Sequence, residues 1–120
     1  MRQPSTIFEQ FEIAVVPFPF VDAPTTKPRP ALVLSVTSFN RQNGHTLLAM
    51  ITTAGHARWP SDYPIQDLRP TALRVACVVR WKVFTLDNRA LQRRIGHLGD
   101  RDTHGCRAAL ANILDGGQPH

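Results

Sequence analysis

Between residues 69 and 107 nine side chains are cations, and eight of them are arginines: Arg69, Arg74, Arg80, Arg89, Arg93, Arg94, Arg101 and Arg107, with Lys82 the ninth. Only Asp87, Asp100 and Asp102 oppose them there. Residues 1–68 hold five basic and five acidic side chains, so the net charge of +5 on this 120-residue chain sits in its second half. A guanidinium is planar and donates two parallel hydrogen bonds, a fork that fits phosphate and carboxylate oxygens. The pattern implies a polyanion partner, nucleic acid or an acidic protein segment, or else a solubilising basic surface.

Other reactive side chains narrow the chemistry. The five histidines, His45, His56, His97, His104 and His120, show no HxxxH spacing, and Cys77 and Cys106 form no CxxC pair. No metal site is therefore expected. No glycine-rich phosphate loop is present, no spacing singles out a Ser-His-Asp set, and no cofactor is expected. His56 has an ordinary pKa of about 6.5, suited to proton transfer, although an exposed loop histidine with no role is the plainer reading. Trp59, Tyr63, Phe18 and Phe20 are loop aromatics. Bases of single-stranded RNA stack on such rings at ~1–3 kcal/mol each. For Phe18 and Phe20 packing of a loop onto the core is preferred, and Trp59 stays open.

Such side chains need a scaffold, and the chain reads as one mainly β domain over residues 11–116, with a flexible arm at 1–10 and a tail at 117–120. Hydrophobic residues make up 42%, enough for a core, and ten prolines with seven glycines imply many turns. Apolar runs at 13–16, 31–36, 47–51 and 73–81 are short, rich in Val and Ile, and bounded by turn residues, which predicts strands. Their unbroken apolarity suggests burial on both faces, as in a small barrel. Pro17, Pro19, Pro24, Pro28 and Pro30 mark residues 17–30 as a loop, and loops of that length are often functional.

The remaining connections are read the same way. Residues 40–44 predict a turn with Asn43-Gly44 at a hairpin tip. Residues 54–72 form a polar excursion with a short edge strand at 63–65, and a short helix is expected over 87–93. A C-terminal helix follows, capped by Asp102 or Thr103, with Cys106, Leu110, Ile113 and Leu114 on one face and Gly116-Gly117 as its stop. No run approaches the ~20 apolar residues of a membrane helix, and the N-terminus lacks a signal-peptide pattern. The protein is thus expected to be soluble and cytoplasmic, its two cysteines either buried thiols or one disulfide.

Val16-Pro-Phe-Pro-Phe20 and Lys27-Pro-Arg-Pro-Ala-Leu-Val-Leu-Ser35 resemble the opening of the MazF/PemK toxins: a strand, a mobile loop, then Arg-Pro leading into a second strand. The resemblance continues through Met50-Ile-Thr-Thr53, Val78-Val-Arg80, Phe84-Thr-Leu-Asp87 and Arg94-Ile-Gly-His-Leu98, in order over about residues 11–100. It implies an SH3-like β-barrel with a C-terminal helix and one or two short helices. It also implies a homodimer with RNA in a groove across the dimer, and an acidic antitoxin as partner. Two positions depart from the family pattern. Phe11-Glu12 stands where Gly-Asp is common, and Lys82 stands where some members carry an acid.

The activity so implied is that of a type II toxin, an endoribonuclease that cuts single-stranded RNA without a metal. The ribose 2′-OH attacks the adjacent phosphorus, leaving a 2′,3′-cyclic phosphate and a 5′-OH end. That reaction needs a base, an acid, and positive charge or hydrogen-bond donors at the pentacoordinate phosphorus. DNA has no 2′-OH and cannot follow this route. By the resemblance Arg29 and Thr52 are the catalytic pair, Arg29 stabilising charge and Thr52 donating to a phosphate oxygen. From the residues alone, Arg29 reads more readily as a partner for a carboxylate in the barrel wall. Thr53 is the fallback for Thr52, since adjacent strand residues face opposite sides. Lys27, His56, Trp59, Arg80 and Lys82 are the supporting RNA-binding candidates. Two readings compete: a barrel of the CcdB type, which binds DNA gyrase and cuts nothing, and an inactive member that only binds an acidic partner.

Overall fold

Strands form where Val, Ile and Leu cluster, because branched side chains pack well on a pleated surface. In the computed structural model, which describes residues 7–18, 27–55 and 58–116, six strands make one antiparallel sheet. They are β1 (Glu12–Pro17), β2 (Pro28–Val33), β3 (His45–Thr53), β4 (Tyr63–Pro64), β5 (Cys77–Asp87) and β6 (Arg93–His97). Helix α1 (Thr37–Asn43) joins β2 to β3, and α2 (Asp100–Asp115) ends the fold. The strand order is β4-β5-β3-β2-β1-β6, and the sheet curls into a half-barrel.

Both faces of the sheet are apolar, as unbroken runs require. One carries Ile13, Leu32, Ala49, Ile51 and Val79 and is covered by Cys106, Ala109 and Leu110 of α2. The other carries Ala14, Val16, Ala31, Val33, Leu48 and Phe84, with Phe8, Phe18 and Leu91 laid over them. Phe8 belongs to the arm expected to be flexible. It is buried instead, and its carbonyl accepts from the Asn40 amide at 3.0 Å.

Several elements differ from expectation for reasons visible in their packing. Residues 40–44 are the end of α1, not a hairpin tip; Gly44, at φ 67°, takes the left-handed conformation that closes a helix. Asn40 is fully buried there, hydrogen-bonded to Ser35 and Phe8, and its own carbonyl accepts from Asn88. The helix expected over 87–93 is only a 3₁₀ turn at Asn88–Ala90, followed by β6. Pro28 and Pro30 lie inside β2 rather than in a loop. Leu34 donates to Leu47, so even-numbered positions turn their N–H toward β3. β2 pairs with β3 only over residues 31–33, and the prolines therefore forfeit no ladder bond.

β5 outruns the predicted strand, and a two-residue bulge makes this possible. Ala49 pairs with Val83 and Met50 with Arg80, leaving Trp81 and Lys82 as extra residues. Phe11 sits at φ 67°, the region a Gly enters freely. That strain costs about 1–2 kcal/mol. Burial of the ring, with the Arg107 guanidinium 4.9 Å above it, offsets the cost.

Gly96 lets β6 approach the 3₁₀ turn Arg69–Thr71, where a Cβ would stand 2.6 Å from the Pro70 and Thr71 carbonyl oxygens. Those are backbone atoms and cannot swing aside. Gly96→Ala is expected to lower stability by about 2–3 kcal/mol, read as a drop in the urea midpoint. An unchanged midpoint would mean the turn does not close this side of the half-barrel.

Candidate functional site

Register decides which side chains meet. Val16 of β1 stands opposite Arg29 of β2, and Thr52 of β3 stands opposite Val78 of β5. The β2–β3 pairs run from Val33–Leu48 to Ala31–Met50. Carried two residues further, the same register sets Arg29 across from Thr52. The side chains of Val16, Arg29, Thr52 and Val78 then form one row on one face, at the end of the sheet where β1 and β3 finish and β2 and β5 begin. The next row inward is Ala14, Ala31, Met50 and Arg80. Arg29 is exposed and makes no ion pair among the described residues. Thr52 is half-buried. Thr53 faces the other side with Ile51 and pairs with Cys77.

Arg80 differs from a free surface cation. Its guanidinium makes a two-point pair with Asp62, at 3.0 Å through Nε and 2.7 Å to the other oxygen. Both side chains are largely covered, 15% and 6% exposed. The Arg80 hydrogen bond holds the Asp62 carboxyl below its ordinary 3.8, and Asp62 in turn raises Arg80. A depressed carboxyl pKa means that the pair contributes above about pH 4 and is lost as pH falls through the lower folded value. Charge at position 80 is thus largely neutralised, contrary to its expected role as added positive charge. Arg80 instead carries the Trp59 ring, 5.6 Å from the guanidinium. The backbone N–H of Trp59 also donates to the Asp62 carboxylate, at 3.1 Å, so one carboxylate fixes both ends of that turn. Trp59 remains 42% exposed.

Of the other candidates, Lys27 is exposed just before β2, and its carbonyl accepts from Phe18. Lys82 lies half-buried in the β5 bulge. Phe18 is fully buried, edge-on to Phe84 with ring centres 5.4 Å apart, so it packs rather than stacks on a ligand. His56 and Phe20 lie outside the described residues. Both cysteines are free and buried. Burial, then the Asp102 charge, pushes the Cys106 thiol up to about 12, and burial also raises Cys77, so neither supplies a thiolate nucleophile near neutrality. Among the described residues no three metal-ligating side chains converge, and no helix is long and apolar enough to cross a membrane.

Sequence reasoning misses Asp62 as a partner, because eighteen residues separate it from Arg80. The turn sequence Trp59-Pro-Ser-Asp62 is its one visible signal, a proline second in a turn whose last residue can accept from the first.

Fold and site together define a small basic half-barrel protein with an exposed guanidinium, Arg29, and a hydroxyl, Thr52, on one face at one end of its sheet. The model of the PemK-like, MazF-like toxins of type II toxin–antitoxin systems matches residues 9–114, and the chain belongs to that family. No curated protein matches it in sequence. Among solved structures it is similar to a mycobacterial endoribonuclease in complex with its cognate antitoxin, at 18% identity and a TM-score of 0.70 over 95% of this chain and 97% of that one. It is also similar to MazF in a MazE–MazF crystal from Deinococcus radiodurans (20%, 0.68, covering 92% and 97%). The Mycobacterium tuberculosis toxin MazF-mt6 resembles it at 22% and 0.67, covering 87% and 96%. At these identities the likeness is one of fold.

Proposed function

We propose that this toxin is a metal-independent endoribonuclease that cuts single-stranded RNA, with Arg29 and Thr52 as its catalytic pair. The observation that carries the reading is the register, which sets an exposed guanidinium and a hydroxyl on neighbouring strands of one face. Arg29 stabilises the charge that builds on the phosphorus as the 2′-OH attacks, and Thr52 donates to a non-bridging oxygen. Arg80 and Asp62 hold Trp59 at the border of that face, where its ring offers a stacking surface for a base. The products are a 2′,3′-cyclic phosphate and a 5′-OH end.

The toxin acts in the cytoplasm as a homodimer, and an acidic antitoxin occupies the same basic face. Family membership supports the antitoxin, as does the one bound in the mycobacterial complex. Phe39 on α1 and Val83 on β5, both large apolar side chains left exposed, are available to a second copy.

The direct test incubates purified protein with a long single-stranded RNA in excess EDTA. Discrete fragments with 5′-OH ends are expected; intact RNA together with inhibited gyrase supercoiling would move the protein to the gyrase-binding class. In cells, expression of the toxin alone should arrest growth. Thr52→Ala should relieve the arrest by slowing cleavage about tenfold or more, and equal toxicity of the variant would remove Thr52 from the site.

A further inference from the structure

Where positive charge survives on the surface depends on which arginines already have acids. Arg69, Arg80, Arg89 and Arg94 are paired with Asp67, Asp62, Asp87 and Glu12. Arg74 and Arg93 are exposed and have no ion pair among the described residues. These two line a single cleft of about 440 Å³, together with Arg94, Val15, Ala72 and Ile95. Among the described residues no carboxylate lines it, and Glu12 of β1 is already taken by Arg94.

The cleft lies at the catalytic end of the sheet. Arg93 opens β6 opposite Val15, and the next residue of β1, Val16, stands opposite Arg29 on the other side. Arg29 and Arg93 therefore flank β1 on consecutive rungs, with their backbones about 10 Å apart, two strand spacings. Consecutive rungs face opposite sides of the sheet. A chain reaching both must pass over this end, where β1 finishes and β6 starts. Arg74 sits in the segment entering β5, whose second residue pairs with Thr52. One phosphate cannot touch both Arg29 and Arg93, but a nearby phosphate of the same strand can reach the second.

We propose that the Arg74–Arg93 cleft is a second phosphate subsite, holding a phosphodiester of the RNA that flanks the bond cut at Arg29 and Thr52. This rests on the endoribonuclease reading. Two guanidinium forks around a space without carboxylates suit phosphate oxygens. An acidic peptide would satisfy the same charge, yet peptides take their affinity from apolar anchors or strand pairing. Continuity with the scissile position favours the nucleic acid strand.

The test measures binding of a 2′-O-methyl oligonucleotide of about 12 nucleotides, uncleavable and within a usual single-strand site size, over a salt series. The double variant R74A/R93A should bind about tenfold more weakly at low salt. Its slope of log affinity against log salt should be shallower by about 0.7 for each phosphate no longer neutralised. Both side chains are exposed, so the melting temperature should stay at the wild-type value, and R74K/R93K should restore the slope. A double variant with the wild-type slope, while the wild type still cuts RNA, overturns the subsite and leaves the nuclease reading intact. A wild type that neither binds nor cuts RNA ends both. If R101A on α2 flattens the slope equally, the effect is general charge and the cleft is not a site. If the double variant keeps RNA but loses a poly-glutamate peptide, the cleft belongs to an acidic protein segment and the proposal fails.

Discussion

Arg29→Ala should reduce single-turnover RNA cleavage by about 10²–10³-fold, the usual loss when one donor to a developing oxyanion is removed. The effect should appear in kcat more than in binding, because the extra charge on phosphorus exists only in the transition state. Fold should survive, since the side chain is exposed and has no ion pair among the described residues. Pro28 and Pro30 on either side also preset the backbone of the strand. Arg29→Lys is expected to recover little, because an ammonium is a point charge and cannot match two phosphate oxygens at once. Cleavage by Arg29→Ala at the wild-type rate would show that the guanidinium only decorates the rim, and the catalytic pair would have to be sought elsewhere.

How far the fold can be read from the chain tracks what each element depends on. β1, β3 and α2 are legible because their stability comes from apolar side chains at regular spacing. α1 is not, since Thr37-Ser-Phe-Asn-Arg-Gln-Asn43 has a single large apolar residue and is held by Asn40, whose partners Phe8 and Asn88 are distant in sequence. β6 is hidden for a related reason: Arg93-Arg-Ile-Gly-His97 has no alternation, and its only ladder among the described residues is with β1, about eighty residues earlier. The candidate pair at 29 and 52 is legible through the family resemblance and strand alternation. The true charge distribution is not. Asp67 with Arg69 and Asp87 with Arg89 are two residues apart and can be anticipated as self-neutralising. The pairing of Asp62 with Arg80, however, appears only when β4 and β5 bring their flanks together.

Asp102 gives the strongest expected loss of stability. Sequence suggests it as a helix cap, but Gly99 occupies that position and Asp102 points inward from the first turn of α2, fully buried. Its carboxylate accepts from the Tyr63 hydroxyl at 2.7 Å and from the backbone N–H groups of Gln66 at 2.8 Å and Asp67 at 2.9 Å. Burial, then the hydrogen bond to Asp102, raises the Tyr63 phenol well above its ordinary range, which keeps it a donor near neutral pH. Gly105 completes the arrangement, because a Cβ there would overlap the Tyr63 hydroxyl. Asp102→Ala strands three donors, two of them backbone groups held in place by the fold, and should cost about 4 kcal/mol at 1–3 kcal/mol per stranded group. Tyr63→Phe strands no N–H and should cost only about 1 kcal/mol. Urea unfolding of the two variants separates these values. Equal losses would place the stability in the Tyr63 hydroxyl–Asp102 hydrogen bond and leave the two backbone donors without weight. The consequence reaches the rim: the segment Asp102 ties down continues from the Trp59–Asp62 turn through β4, whose partner Val78 also faces Thr52. Loosening it should therefore free Trp59 before it unfolds the sheet, and the variant should lose RNA affinity at temperatures where its β-sheet circular dichroism is still intact.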